Sequence, residues 1–235
     1  MKKIIIASTS ALFGERYLEY LIPYLRSHFE SVDRLLFIPY ARPKGISYDA
    51  YTQQVKEGFK ELPLAVSGIH EFDDARTAID HAQAIFVGGG NTFVLMDTLI
   101  KQDLLQRLRL VVEKGAPYLG TSAGSNIVGP NVKTTNDMPI VFPASLDSLN
   151  LVPFNLNPHY LDPDPGSTHK GETRETRIKE FHAYNSEMVV GLREGSWITV
   201  KGEEMILQGN HTARIFQKDK LPFELKSGSD LMTLY

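Results

Sequence analysis

The 235-residue chain is expected to fold as a three-layer α/β/α sandwich around a mostly parallel sheet, with a β-rich C-terminal extension of that sheet. Two observations carry this expectation. Up to residue 130, short and continuously apolar runs alternate with segments of helical spacing, as strands buried on both faces require. Beyond residue 130 the pattern changes to loops, one late helix and alternating runs joined by turns. No repeat, low-complexity stretch or linker interrupts the chain, so residues 1–235 read as a single domain.

The elements follow in order. "KIIIAS" precedes "ERYLEYLIPYLRSHF", where Tyr17, Leu18, Leu21, Leu25 and Phe29 recur at near-helical spacing. "RLLFIPYA" precedes "SYDAYTQQVKEGFKEL", and "AVSGIHEF" precedes "DDARTAIDHA", whose Asp73 and Asp74 suit a helix start. "AIFVGGG" precedes "NTFVLMDTLIKQDLLQRLRLVVEKG", and "PYLGTS" precedes "AGSNIVG". "TTNDMPIVFP" and "YLDPDPGSTHKGETRE" read as loops, and "TRETRIKEFHAYN" as a helix. "EMVVGLREGSWITVKGEEMILQG" and "TARIFQK" read as antiparallel strands.

Composition narrows the function classes. The chain is 42 % hydrophobic and 23 % charged, with a formal net charge of −3, so it lacks the basic footprint of a nucleic-acid-binding protein. It has no cysteine, which removes disulfides, thiolate nucleophiles and cysteine metal sites, and suits a reducing cytoplasm. "MKKIIIAS" imitates a signal peptide, but its apolar run is short and "ERYLEYL" follows closely, so it reads as a first buried strand. No run approaches the roughly 18 apolar residues of a membrane span. The H-E-x-x-H pattern is absent, and neither a metal nor a cofactor is expected. A monomer or homodimer is expected.

In open α/β sheets, ligands bind beyond the carboxyl ends of the strands. Two features fall there: Gly88-Gly89-Gly90, and Ser122 within Gly120-Thr121-Ser122-Ala123-Gly124. G-x-S-x-G spacing suits a serine held on a tight strand-to-helix turn, although a serine N-cap would leave the same trace. A serine nucleophile needs a base and a third group to orient it. Of the seven histidines, His28, His81 and His182 lie in helix-period segments and read as solvated; His70 is a weak candidate. His159 follows a strand ending in Asn157-Pro158 and is the stronger base candidate, with His169 as its rival. Asp137 or Glu194 could supply the third member, the latter from a strand-end loop of the same sheet. The glycine run fits a phosphate cradle poorly, because neither G-x-G-x-x-G nor Gly-Lys-Ser/Thr occurs. Its N–H groups, joined by that of Ala123, would serve a developing oxyanion.

Six blocks in this order, "VGGGNTF", "GTSAGSN", "TTNDMPIV", "NPHY", "HKGETRETRI" and "LREGSW", closely resemble the peptidase E family of α-aspartyl dipeptidases, over roughly residues 35 to 200. The resemblance implies a serine peptidase acting on dipeptides with an N-terminal aspartate, on a fold akin to class I glutamine amidotransferases. It implies Ser122 as nucleophile, His159 as base and Glu194 as acid, with Gly90 and Ala123 at the oxyanion hole. Asp137 then becomes a contact to the substrate amino group, with Asn91 a further substrate-binding residue. The alternatives are a same-fold serine hydrolase acting on a β-aspartyl peptide or an ester, or a catalytically silent small-molecule-binding α/β protein. Many members carry tryptophan at the position of Thr121 and alanine at that of Ser125, so Thr121 is expected to alter the pocket wall. An acidic substrate side chain in a narrow pocket calls for a cation, and arginine's planar fork suits a carboxylate. In "HKGETRETRIK", Arg177 and Lys179 read as a solvated helix face. Arg174, in the first turn, is the expected partner of the substrate carboxylate, with Lys170 or His169 as substitutes.

Overall fold

The computed structural model describes residues 1–164, 166, 168 and 170–235. The strands are β1 (Lys3–Ala7), β2 (Arg34–Ile38), β3 (Ala65–Gly68), β4 (Ile85–Val87), β5 (Tyr118–Thr121), β6 (Asn155–Pro158), β7 (Val189–Leu192), β8 (Ser196–Lys201), β9 (Glu204–Gly209), β10 (Ala213–Phe216) and β11 (Phe223–Leu225). The helices are α1 (Ile22–His28), α2 (Tyr48–Gly58), α3 (Ala75–Asp80), α4 (Thr92–Lys101), α5 (Leu105–Glu113), α6 (Ala123–Asn126) and α7 (Arg174–Phe181). Seven strands form one sheet in the order β3-β2-β4-β5-β1-β8-β9. Its first five strands are parallel, and β8 and β9 extend it antiparallel.

The apolar runs divide by parity. Ile4, Ile6, Leu36, Ile38, Ile85 and Val87 face one core, with Leu95 and Met96 of α4 and Leu108 of α5. Ile5, Ala7, Leu35, Phe37 and Phe86 face the other, with Leu25 of α1 and Val55 of α2. Successive side chains of a strand point to opposite faces, so a strand covered on both sides is apolar throughout.

Four expectations need correction. The C-terminal strands do not all extend the main sheet: β6, β7, β10 and β11 form a separate four-stranded sheet in the order β11-β10-β7-β6. Leu156, Val190 and Ile215 of this second sheet pack into the same core as α4 and α5, while Ile178 of α7 packs with Tyr160 and Phe216. Alternation reveals that a strand is half-buried but not which strand it joins. Next, residues 15–18 are not helical, because Leu18 takes φ 60° and only a short 3₁₀ turn precedes α1. Leu18 is fully buried all the same, so the apparent helical period came from burial of an irregular segment. The 91–115 segment likewise breaks in two, with Asp103 at φ 58° between α4 and α5. Finally, His28 and His182 are buried rather than solvated, each with Nε2 on a backbone carbonyl (Tyr118 and Glu187, both 3.0 Å).

Candidate active site

The G-x-S-x-G turn is built by contact. A Cβ at Gly120 would lie 2.4 Å from the Gly124 carbonyl oxygen, and one at Gly124 would lie 2.1 Å from that of Val87. Both positions therefore need glycine for the turn to close against β4. Ser122, between them, holds φ 52° and ψ −108° at the head of α6, and its side chain makes no capping bond. That disposes of the N-cap reading. Its N–H donates to Ala7 O at 3.2 Å, tying the turn to the end of β1. Its Oγ lies 2.9 Å from His159 Nε2 instead.

His159 follows β6 of the second sheet and also holds a left-handed backbone, φ 53°. Its N–H donates to Ser8 Oγ at 2.9 Å, and the same hydroxyl donates to Leu192 O at 2.7 Å. Ser8 is fully buried at the end of β1. Sequence reasoning missed it, since a serine after an apolar strand carries no signal of its own. Glu194 lies two residues beyond β7, at the crossing from the second sheet to β8 rather than in a loop of one sheet. Its Oε1 is 2.6 Å from His159 Nδ1. With Nδ1–H donating to the carboxylate, Nε2 is left as the acceptor for the Ser122 hydroxyl proton. The flanking Arg193 makes two bonds to Asp162, at 2.9 and 2.7 Å, and also reaches Glu224. The Arg193 guanidinium holds the Asp162 carboxyl below its usual range, so the segment after His159 is clamped to the strand end before Glu194.

Each glycine of the triple run has its own reason. A Cβ at Gly88 would meet the Tyr51 hydroxyl at 2.6 Å, one at Gly89 would meet Ser122 Cβ at 3.1 Å, and one at Gly90 would meet Ala41 O at 2.2 Å. Gly90 also holds φ 145°. Among the described residues, neither the Gly90 N–H nor that of Ala123, the first residue of α6, donates to a protein acceptor.

Asn91 caps α4, with Oδ1 accepting from Val94 N at 3.1 Å and Nδ2 donating to Met138 O at 2.9 Å. Asp137 Oδ2 accepts from Thr92 N at 2.7 Å and from Thr135 Oγ1 at 2.9 Å, so one of its oxygens is taken by the same helix start. Arg174 opens α7 and is half-buried, its Nη1 3.5 Å from the carbonyl of Pro158, the residue before His159. It has no ion-pair partner among the described residues, whereas Arg177 meets Glu172 and Lys179 meets Glu175. Burial, followed by the nearby Arg177 charge, lowers the Arg174 pKa, and the Glu194 carboxylate acts the other way. Lys170 is exposed, and His169 lies outside the described residues. Thr121 lines no accessible wall: it is fully buried in β5, contrary to expectation. Ser125 is buried too, its Oγ 2.7 Å from Ala7 O and 2.8 Å from Gly120 O, so its one proton has two carbonyl acceptors to hand.

The model of peptidase family S51 matches residues 4–208. The chain belongs to this family. Membership makes it a serine-type peptidase. It is 46 % identical over 231 residues to a Streptomyces coelicolor protein named peptidase E, covering 98 % of this chain and 94 % of that one. It is 45 % identical over 236 residues to a Drosophila melanogaster protein named probable alpha-aspartyl dipeptidase, covering 99 % and 97 %. A crystal structure of a peptidase from an acI-B1 Actinobacterium superposes with a TM-score of 0.72 at 17 % identity, covering 98 % and 96 %, and so has the same fold. No helix among the described residues is long and apolar enough to cross a membrane.

Proposed function

We propose that the chain is an exopeptidase that hydrolyses Asp-X dipeptides through an acyl-enzyme, with Ser122 as nucleophile, His159 as base and Glu194 as the orienting acid. The observation that carries this reading is the continuous relay from Ser122 Oγ through His159, with contacts of 2.9 and 2.6 Å. Ser122 Oγ attacks the carbonyl carbon of the N-terminal aspartate as His159 Nε2 takes the hydroxyl proton. The oxygen gains the negative charge within reach of the Gly90 and Ala123 N–H groups. Collapse breaks the C–N bond, His159 returns the proton to the leaving amine of X, and an aspartyl ester remains on Ser122. A water deprotonated by His159 attacks that ester, releasing aspartate and restoring the hydroxyl. Neither a metal nor a cofactor enters these steps.

Arg174 takes the substrate's side-chain carboxylate, and Asp137 meets its amino group with the oxygen that does not cap α4. Asn91 contributes by holding the 135–138 loop on α4. A half-buried guanidinium without an acidic partner favours this assignment, because such a charge gains most from a carboxylate that arrives with the ligand. The absence of cysteine suits cytoplasmic action, and a monomer or homodimer belongs to the same proposal.

The test is a comparison of Asp-X with Asn-X. Truncating one partner of a buried charge pair costs roughly 2–5 kcal/mol, so Arg174→Ala lowers kcat/KM for Asp-X by about 30- to 3,000-fold. The loss on Asn-X is much smaller. Equal losses on both substrates would assign Arg174 to the fold or the Ser–His–Glu relay and remove it from specificity.

A further inference from the structure

We infer that Tyr51 is a positioning residue for the oxyanion site: its hydroxyl fixes the direction of the Gly89–Gly90 peptide, and so of the Gly90 N–H. This rests on the acyl-transfer reading above. The Val87–Gly88 and Gly90–Asn91 peptides are anchored by backbone, with Gly88 N–H on Ile38 O at 3.2 Å and Asn91 N–H on Ala41 O at 2.7 Å. The peptide between Gly89 and Gly90 has no such anchor among the described residues. A peptide flanked by two glycines is the easiest kind to turn over, because neither residue has a Cβ to oppose the required φ and ψ. Turned over, it would present a carbonyl oxygen to a developing oxyanion and repel it.

Tyr51 opposes that turn. It lies on α2, 1 % exposed, and its hydroxyl donates to Gly89 O at 3.3 Å. No peptide bond among the described residues is cis, and in a trans peptide the C=O and N–H point opposite ways. A Gly89 carbonyl drawn toward α2 therefore sends the Gly90 N–H away from α2. Two neighbours give the phenol its polarity. Tyr17 donates its own hydroxyl proton to Tyr51 at 3.5 Å, which leaves the Tyr51 proton for Gly89. The Arg42 guanidinium sits 5.3 Å from the Tyr51 ring centre, and a cation over the ring makes the phenol a better donor. Space is matched as well, since only glycine at position 88 leaves room for this hydroxyl.

Tyr51→Phe removes one oxygen and keeps the edge-on packing against Phe37. Three quantities are read on the folded variant: kcat, KM for Asp-X, and affinity for an aspartate analogue whose α-carboxyl is replaced by a boronic acid. Loss of a whole oxyanion donor costs about 10²–10³-fold in kcat, so loss of its orientation is expected to cost about 10- to 100-fold. KM stays within about twofold, and boronate affinity falls by the same factor as kcat/KM. A variant with unchanged kcat, or one whose loss falls on KM with boronate affinity intact, overturns the inference. So does a variant that loses its fold, because the hydroxyl would then serve stability. A wild-type protein that neither turns over Asp-X nor binds the boronate would instead overturn the underlying function.

Discussion

Ser122 and His159 both hold φ values near +50°, where a side chain crowds its own backbone. Such strain costs on the order of 1–3 kcal/mol per residue and persists only where the surroundings impose it. Gly120 and Gly124 impose it on Ser122, and Ser8 imposes it on His159. The two acids near the site are distinguished by what they touch. Glu194 meets only the imidazole among the described residues, and Asp137 is partly committed to the start of α4. Glu194→Gln is accordingly expected to lower kcat by about 10²–10⁴-fold with little change in KM. Asp137→Asn should act at least as strongly on KM, through the substrate amine and the 135–138 loop. Steady-state kinetics of the two variants check this, and the reverse pattern would exchange their roles. At this scale the sequence was most legible. The six blocks marked the residues that the fold brings within hydrogen-bond distance, and Arg174 is the half-buried cation of its cluster without an acidic partner among the described residues. Ser8 and Tyr51 were not legible, because a lone serine or tyrosine acting on backbone looks like any core residue.

Between elements, the decisive contact is the end of β1. Ala7 O holds the Ser122 backbone and Ser8 Oγ holds the His159 backbone, so adjacent residues register the main sheet against the second sheet. Leu192 O, the other partner of Ser8, also accepts from Tyr160 N at 3.1 Å, so it keeps a donor when Ser8 is lost. Ser8→Ala is thus expected to leave the His159–Glu194 bond in place while moving the pair as a unit relative to Ser122. Misplacement on the order of 1 Å costs about 10²-fold in rate, and one orphaned N–H costs about 1–3 kcal/mol in stability. Kinetics together with thermal unfolding measure both. A variant with full activity would show that the sheets hold their register without this hydroxyl. The division into two sheets was itself hidden from the sequence. Apolar alternation shows that β6, β7 and β10 are buried on a face, but partner choice is set by the edge of β1 already being filled by β8.

For the molecule as a whole, the parallel core was legible because strands covered on both faces need unbroken apolar runs, and five of them supply it. Buried histidines were not, and one of them couples stability to pH. Burial pushes the His28 pKa down to about 3 from 6.5. Between these values the unfolded chain binds a proton that the folded chain refuses, so this contribution is full above 6.5 and is lost as pH falls toward 3. The slope approaches about 1.4 kcal/mol per pH unit. Asp162 and Glu224, held low by Arg193, add acid sensitivity of the same sign. His28→Gln, which keeps a donor for Tyr118 O, is expected to flatten the acid side of the stability profile, as denaturant melts from pH 4 to about 7 would show. An unchanged slope would mean that His28 takes up its proton within the fold. The central claim is acyl transfer at Ser122, and its most direct test is turnover of Asp-X by purified Ser122→Ala beside wild type, with folding checked by circular dichroism. The predicted result is a folded protein whose turnover drops to the residual level left by the oxyanion site and binding, about 10³–10⁴ over water. Near-wild-type hydrolysis by Ser122→Ala would contradict the account.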